Sequence, residues 1–185
     1  MILEGHGIRL DLPRGWSGRI FNRSGPVATL HAASFPLALG DGEFGDATTA
    51  RMPEEGSFVA LTEYRPGGGL EPGVGLFAPR RIPRRTDPTR FSIDGLAHPR
   101  RGQSGMQHFF TAAHRPFCLY VVIAGARAGR RRQLAVIDRM LGALEISPRH
   151  WSIDPVEDFD RPQSHPRSSM LRERREVDLP PPPQD

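Results

Sequence analysis

Two arginine clusters hold the residues best suited to chemistry in this chain. Arg80, Arg81, Arg84, Arg85, Arg90, Arg100 and Arg101 put seven cations within 22 residues, against only Asp87 and Asp94. Arg127, Arg130, Arg131 and Arg132 form a second group where a helix is predicted to begin. A guanidinium is a planar fork whose parallel N–H donors match a carboxylate or a phosphate. Both clusters therefore suit an anionic ligand, and a merely solvated basic face is the alternative that needs no ligand. A helix start already favours anions, so cations gathered there oppose the macrodipole unless something acidic balances them. Successive helical positions differ by about 100°, so Arg130, Arg131 and Arg132 fan outward and cannot all be buried. Aromatic side chains that could stack bases are scarce among these arginines, Phe77 and Phe91 alone. An acidic protein surface is thus the first expected partner and nucleic acid the second. The candidate partner- or anion-binding residues are Arg80, Arg81, Arg84, Arg85, Arg127, Arg130, Arg131 and Arg132.

Other constellations fail on context. Gly73-Val-Gly75-Leu-Phe-Ala78 spells a dinucleotide-binding pattern, but Pro72 precedes it, and Pro79 and Pro83 stand where a helix should open. Gly102-Gln-Ser104-Gly105 is one residue short of a nucleophile elbow, and Met106 leads into a strand rather than a helix, so Ser104 is read as a turn serine. The seven histidines form no His-x-x-x-His pair, and the single cysteine permits neither an intramolecular disulfide nor an all-cysteine zinc site. His108 and His114 flank a predicted hairpin turn and could approach each other, but two ligands do not make a metal site. Cys118 lies between Phe117 and Leu119 and reads as a small buried hydrophobe. No metal, cofactor or catalytic residue is expected.

The elements that must position the arginines follow from periodicity. Ile8–Leu12, Ser17–Arg23, Val27–Phe35 and Ser57–Tyr64 read as strands, and Asp46–Met52 as a short helix capped by Asp46. Residues 66–90 carry five prolines and no period, the mark of a long loop, with a brief strand at Phe91–Ile93 after it. Gln103–Thr111 and Pro116–Ala124 form a hairpin turning at Ala112–Arg115, its second strand apolar on both faces. Arg130–Glu145 is the strongest helix, with Leu134, Ile137, Leu141 and Leu144 on one stripe. The expected fold is α+β, an antiparallel sheet with a long C-terminal helix packed on it.

Composition sets the limits. All 25 basic residues are arginine, a bias that GC-rich codons explain without any function. Residues 1–146 hold 19 Arg against 13 acids, whereas 147–185 hold 6 against 8 and end in four consecutive prolines before Gln184 and Asp185. The reading is a single domain over 1–147 and a disordered, Pro-rich charged tail over 148–185. No run of about 18 apolar residues occurs, and the opening residues lack a basic n-region and an apolar h-region, which predicts a cytoplasmic protein with no transmembrane segment.

An opening strand ending Leu12-Pro-Arg-Gly-Trp16, a late hairpin Phe109-Phe-Thr…Phe117-Cys-Leu-Tyr-Val-Val, and a closing helix ending Leu141-Gly-Ala-Leu144-Glu-Ile146 resemble the PsbP-like α/β/α sandwich superfamily. That superfamily includes photosystem extrinsic subunits, a Ran-GTPase-binding protein, and bacterial lipoproteins and secretion-effector chaperones. The resemblance covers roughly residues 5–147 and implies a non-enzymatic role, since members mostly bind other proteins. The expected function is a protein-interaction module or adaptor with a basic face. The alternatives are a polyanion binder using clusters 80–101 and 127–132, and an enzyme whose site is not recognisable.

Overall fold

The computed structural model describes residues 1–22 and 25–149. The expected tail therefore lies, from residue 150 on, outside the described residues. The fold is α+β and its sheets are antiparallel. Strands β1 (Ile2–Gly5), β2 (Ile8–Asp11), β3 (Ser17–Asn22) and β4 (Ala28–Ala33) come first, then α1 (Asp46–Ala50) and β5 (Ser57–Glu63). The long hairpin β6 (Gln103–Ala112) and β7 (Arg115–Ala124) follows, and α2 (Arg127–Gly142) and β8 (Glu145–Ile146) close it. A five-stranded sheet has the order β3-β4-β5-β7-β6, and a three-stranded sheet the order β1-β2-β8. No helix among the described residues is long and apolar enough to cross a membrane.

Alternation in the strands builds two apolar clusters. Leu30, Val59, Leu61, Leu119 and Val121 join Ile8, Leu10 and the helical Leu134, Ile137, Met140 and Leu141 in one. Phe58, Ala60, Tyr120 and Val122, one residue out of step in the same strands, join Phe35 and Leu96 in the other. β7, buried at every position, feeds both. Each such side chain contributes about 1.5–3 kcal/mol, so the four helical ones alone anchor α2 firmly.

Several local expectations need correction. The helix predicted over 130–145 begins earlier, at Arg127, and ends at Gly142. Glu145 and Ile146 leave it because they pair with Arg9 and Ile8 of β2. α1 is capped by Gly45 without a side chain, not by Asp46. Asp41 does that work from outside, accepting the Ala47 N–H at 2.9 Å and the Thr48 N–H at 2.8 Å. Burial pushes the Asp41 carboxyl up, but its hydrogen bonds to Thr48, Ala47 and Gly42 outweigh that and hold it below the usual range. β1 was not anticipated; it pairs along β2 through a two-residue turn at His6 and Gly7, both with positive φ. The β6–β7 turn is likewise two residues, Ala113 and His114, at φ 49° and 59°, the primed geometry that suits twisted strands.

The loop over 66–90 holds two 3-10 turns, Gly75–Phe77 and Pro88–Arg90. Thr111 ties it to β6: its Oγ1 accepts the Gly73 N–H and donates to Phe77 O, both at 2.7 Å. Ser92 forms an isolated bridge with Gly105 where the brief strand was expected.

Candidate functional site

The loop carrying the first arginine cluster lies along α2. Arg84 Nη1 donates to Gly142 O at 2.8 Å, at the end of the helix. Thr86 donates from both its backbone N–H (2.7 Å) and its hydroxyl (2.8 Å) to Asp138 Oδ1, and Arg130 Nη1 reaches back to Pro88 O at 3.4 Å. Residues 84, 86 and 88 thus step from the C-terminus of α2 towards its N-terminus. From Gly142 to Arg130 is about 18 Å along the axis at 1.5 Å per residue. Of the first cluster, Arg84 stands at the C-terminal end of this helix, and the second cluster gathers at its N-terminal end.

They do not merge into one basic patch. Arg84 caps orphan carbonyls where a cation suits the helix dipole, a structural duty. Arg80 lies over Gly73, where a Cβ would come within 2.6 Å of its Nη2. Arg90 donates to Gln107 O at 3.0 Å and lies 3.2 Å from His108 Nδ1. Burial first and then the Arg90 charge lower the His108 pKa. His108 thus faces Arg90, not His114. Arg101 lines a separate cleft with Met52 and Glu54. Arg81 and Arg85 are exposed and without a partner among the described residues.

At the other end of α2 the arginines converge. Arg127, Arg130 and Arg131 line a cleft of about 390 Å³ with Pro88, Thr89 and Phe91. Arg130 is fixed: Nη2 donates to Ser104 Oγ at 2.9 Å, and its guanidinium lies 6.0 Å from the Phe91 ring centre, the outer limit of a cation–π contact. Ser104 belongs to β6 rather than to a turn and serves as that acceptor. Arg127 and Arg131 are exposed with no partner among the described residues. α2 has no side-chain cap at Ala126 and no acid in its first turn. The cleft is therefore strongly cationic, and among the described residues no acidic side chain balances Arg127 or Arg131. Arg132, on the next helical position, lines a different cleft with Trp16 and Glu55, as the fan of helical positions requires.

Phe91, Pro88 and Thr89, which complete the cleft, have no sequence signal, because the loop is brought to this end of α2 by long-range contacts such as Thr86–Asp138 and Arg130–Pro88. A second arginine site was also missed. Arg115 is 1% exposed and Glu63 2%. Its Nε and Nη2 donate to the two Glu63 carboxylate oxygens at 2.7 and 2.8 Å, while Nη1 and Nη2 also reach Ser147 O and His6 O, both at 3.0 Å. Glu63 Oε2 further accepts the Ala28 N–H at 3.0 Å and Arg149 Nη1 at 3.3 Å. Arg149 also contacts Pro26 O and His6 Nδ1. Gly7 lies against this network at φ 71°, where a Cβ would sit 3.0 Å from Arg115 Nη1. Its one signal is that Glu63 and Arg115 are charged residues bounding otherwise apolar strands.

Catalytic groupings are weak. Burial pushes the Cys118 thiol up to about 12, far from a reactive thiolate. Among the described residues no three His, Cys, Asp or Glu side chains are placed to hold a metal ion. Comparison with family models, with curated proteins and with solved structures finds no match to this chain.

Proposed function

We propose that this protein is a non-enzymatic interaction module that docks an acidic protein surface on the cleft formed by Arg127, Arg130 and Arg131. The observation that carries this reading is the unbalanced charge: three guanidinium groups around one cleft at an uncapped helix start, two of them with no partner among the described residues. Keeping like charges there opposes the helix dipole, so the arrangement favours an external anion. The aromatic component is one largely buried ring, Phe91, 6% exposed, which favours carboxylates over stacked bases. Dispersal of Arg80, Arg84, Arg90 and Arg101 into other contacts removes the continuous basic stripe that a nucleic-acid backbone would follow.

The proposal extends to architecture and compartment. We read the domain as a PsbP-like α/β/α sandwich, with α2 as the layer over one sheet face. The apolar clusters on both faces of the five-stranded sheet support that reading. A cytoplasmic setting fits the single free, buried cysteine.

Affinity capture with the full chain and with the Arg127→Gln/Arg131→Gln variant tests the function. An acidic protein retained by the wild type and lost with the variant is the expected result. Retention of the same proteins by both chains would overturn it, and so would nucleic acid as the species lost.

A further inference from the structure

A second cleft lies beside a different face of α2 and has a different chemistry. Gly129, Arg132, Gln133 and Val136 are spaced three, one and three, so they share one stripe of the helix, next to the buried stripe of Leu134, Ile137 and Leu141. Opposite them stand Trp16, from the turn before β3, and Glu55, from the turn before β5. The cleft is partly open to solvent and has a volume of about 200 Å³, below the roughly 300 Å³ where drug-sized pockets begin. The cleft suits a molecule the size of one amino acid.

Gln133 is the fixed polar group of this cleft, while Glu55 and Arg132 are exposed and unpaired among the described residues. Gln133 uses its amide N–H₂ on Gly56 O and Ala124 O, both at 3.0 Å. That holds the amide in place and leaves Oε1 without a donor among the described residues. Glu55 is held by the turn that the Gly56 N–H closes onto Pro53 O at 2.9 Å, and its own backbone is left-handed at φ 62°. Such a conformation is strained in a residue other than glycine, and strain of this kind clusters at binding sites. Glu55 and Arg132 line the same cleft, yet no ion pair joins them, and neither has another partner among the described residues. Gly129 leaves the mouth open, since only Glu55 Oε1, at 3.6 Å, would meet a Cβ there.

We infer that this cleft binds a small zwitterion, a free amino acid with an apolar side chain. Its ammonium group meets Glu55 and Gln133 Oε1, its carboxylate meets Arg132, and its side chain lies against Trp16 and Val136. One carboxylate and one guanidinium lining a small cleft with no ion pair between them match the two opposite charges of an α-amino acid. A simple amine or a simple acid would satisfy only one of them and leave the other facing an unpaired charge. This site is independent of the acidic-partner cleft and shares no arginine with it.

The test follows the Trp16 indole N–H resonance in the full chain, assigned with Trp16→Phe, during titration with L-valine, L-leucine, L-methionine and L-phenylalanine. At least one should give a saturable shift. Removing its carboxylate or its amine (isoamylamine and 4-methylpentanoate for leucine) should weaken binding at least about tenfold. Glu55→Gln and Arg132→Gln should each do the same. Gly129→Leu fills the mouth without disturbing the core and should abolish the shift while the melting temperature holds. The inference is overturned if none of the four gives a saturable shift by about 10 mM, a concentration that would reveal even millimolar binding. It is equally overturned if the one-charge analogues bind as well as the amino acid, or if Gly129→Leu still binds.

Discussion

Arg115 and Arg131 are the same residue put to opposite uses. Arg115 is buried and bonded to a carboxylate and to backbone carbonyls of His6 and Ser147, joining the first hairpin, β5, β7 and the end of the domain. Arg131 is exposed at a helix start and meets no partner among the described residues. Burying a charge without compensation costs several kcal/mol, so a buried arginine survives only when nearly every donor is used. An exposed one costs little and can wait for an external anion. Satisfaction of the guanidinium, more than arginine density, separates the structural cations from the recognition cations.

The largest effect should come from breaking the buried pair. Arg115→Met leaves the Glu63 carboxylate in the interior with only Ala28 and Arg149 near it. A loss of about 3–5 kcal/mol is expected, read as a collapse of the urea midpoint. Arg115→Met combined with Glu63→Leu should recover much of that, because a buried ion pair replaced by apolar groups often costs nothing. Failure of the double variant to recover would mean that the contacts to His6 and Ser147 matter more than the pair.

A buried base that stays neutral sharpens the contrast. His31 is 0% exposed, lies between Phe21 and Phe58, and has an Nδ1 with no hydrogen-bond partner among the described residues. Burial lowers its pKa from 6.5 to about 4, against the hydrogen bond to Glu43 O. Below pH 6.5 the unfolded chain takes up a proton that the folded chain refuses until about 4. Stability should therefore fall as pH drops through that window, by an amount on the order of 3 kcal/mol in full. Urea melts across it should show a slope that His31→Phe flattens; an unchanged slope would assign the acid sensitivity elsewhere.

Much of this division was hidden in the sequence for a physical reason. Strand alternation in Ile8–Asp11, Ser57–Glu63 and the β6–β7 hairpin is local, so those elements and the stripe of Leu134, Ile137 and Leu141 were legible. The fate of each arginine is not local. Arg84 is consumed by Gly142, 58 positions away, and Arg115 by Glu63, 52 positions away. The cleft needs Phe91 beside Arg127, a juxtaposition made by the Thr86–Asp138 contact. The end of α2 was misjudged because Glu145 continues a helical pattern until β2 claims it.

Surface arginines should show a graded, smaller response. Arg84→Gln removes the contact to Gly142 O and should lower the melting temperature by a few degrees at most, about 0.5–1 kcal/mol. Arg127→Gln/Arg131→Gln should not lower it and should raise it slightly, since neither side chain holds anything in place and both oppose the dipole at the start of α2.

That double variant also provides the most direct measurement of the central claim. The full chain and the variant are titrated against duplex DNA and against the captured acidic partner over a range of salt around 0.15 M. The account predicts weak DNA binding that the substitutions leave alone, and partner affinity that falls at least about tenfold with no loss of melting temperature. Tight DNA binding, with a log–log salt slope of about −0.9 per phosphate contacted that flattens in the variant, would contradict it.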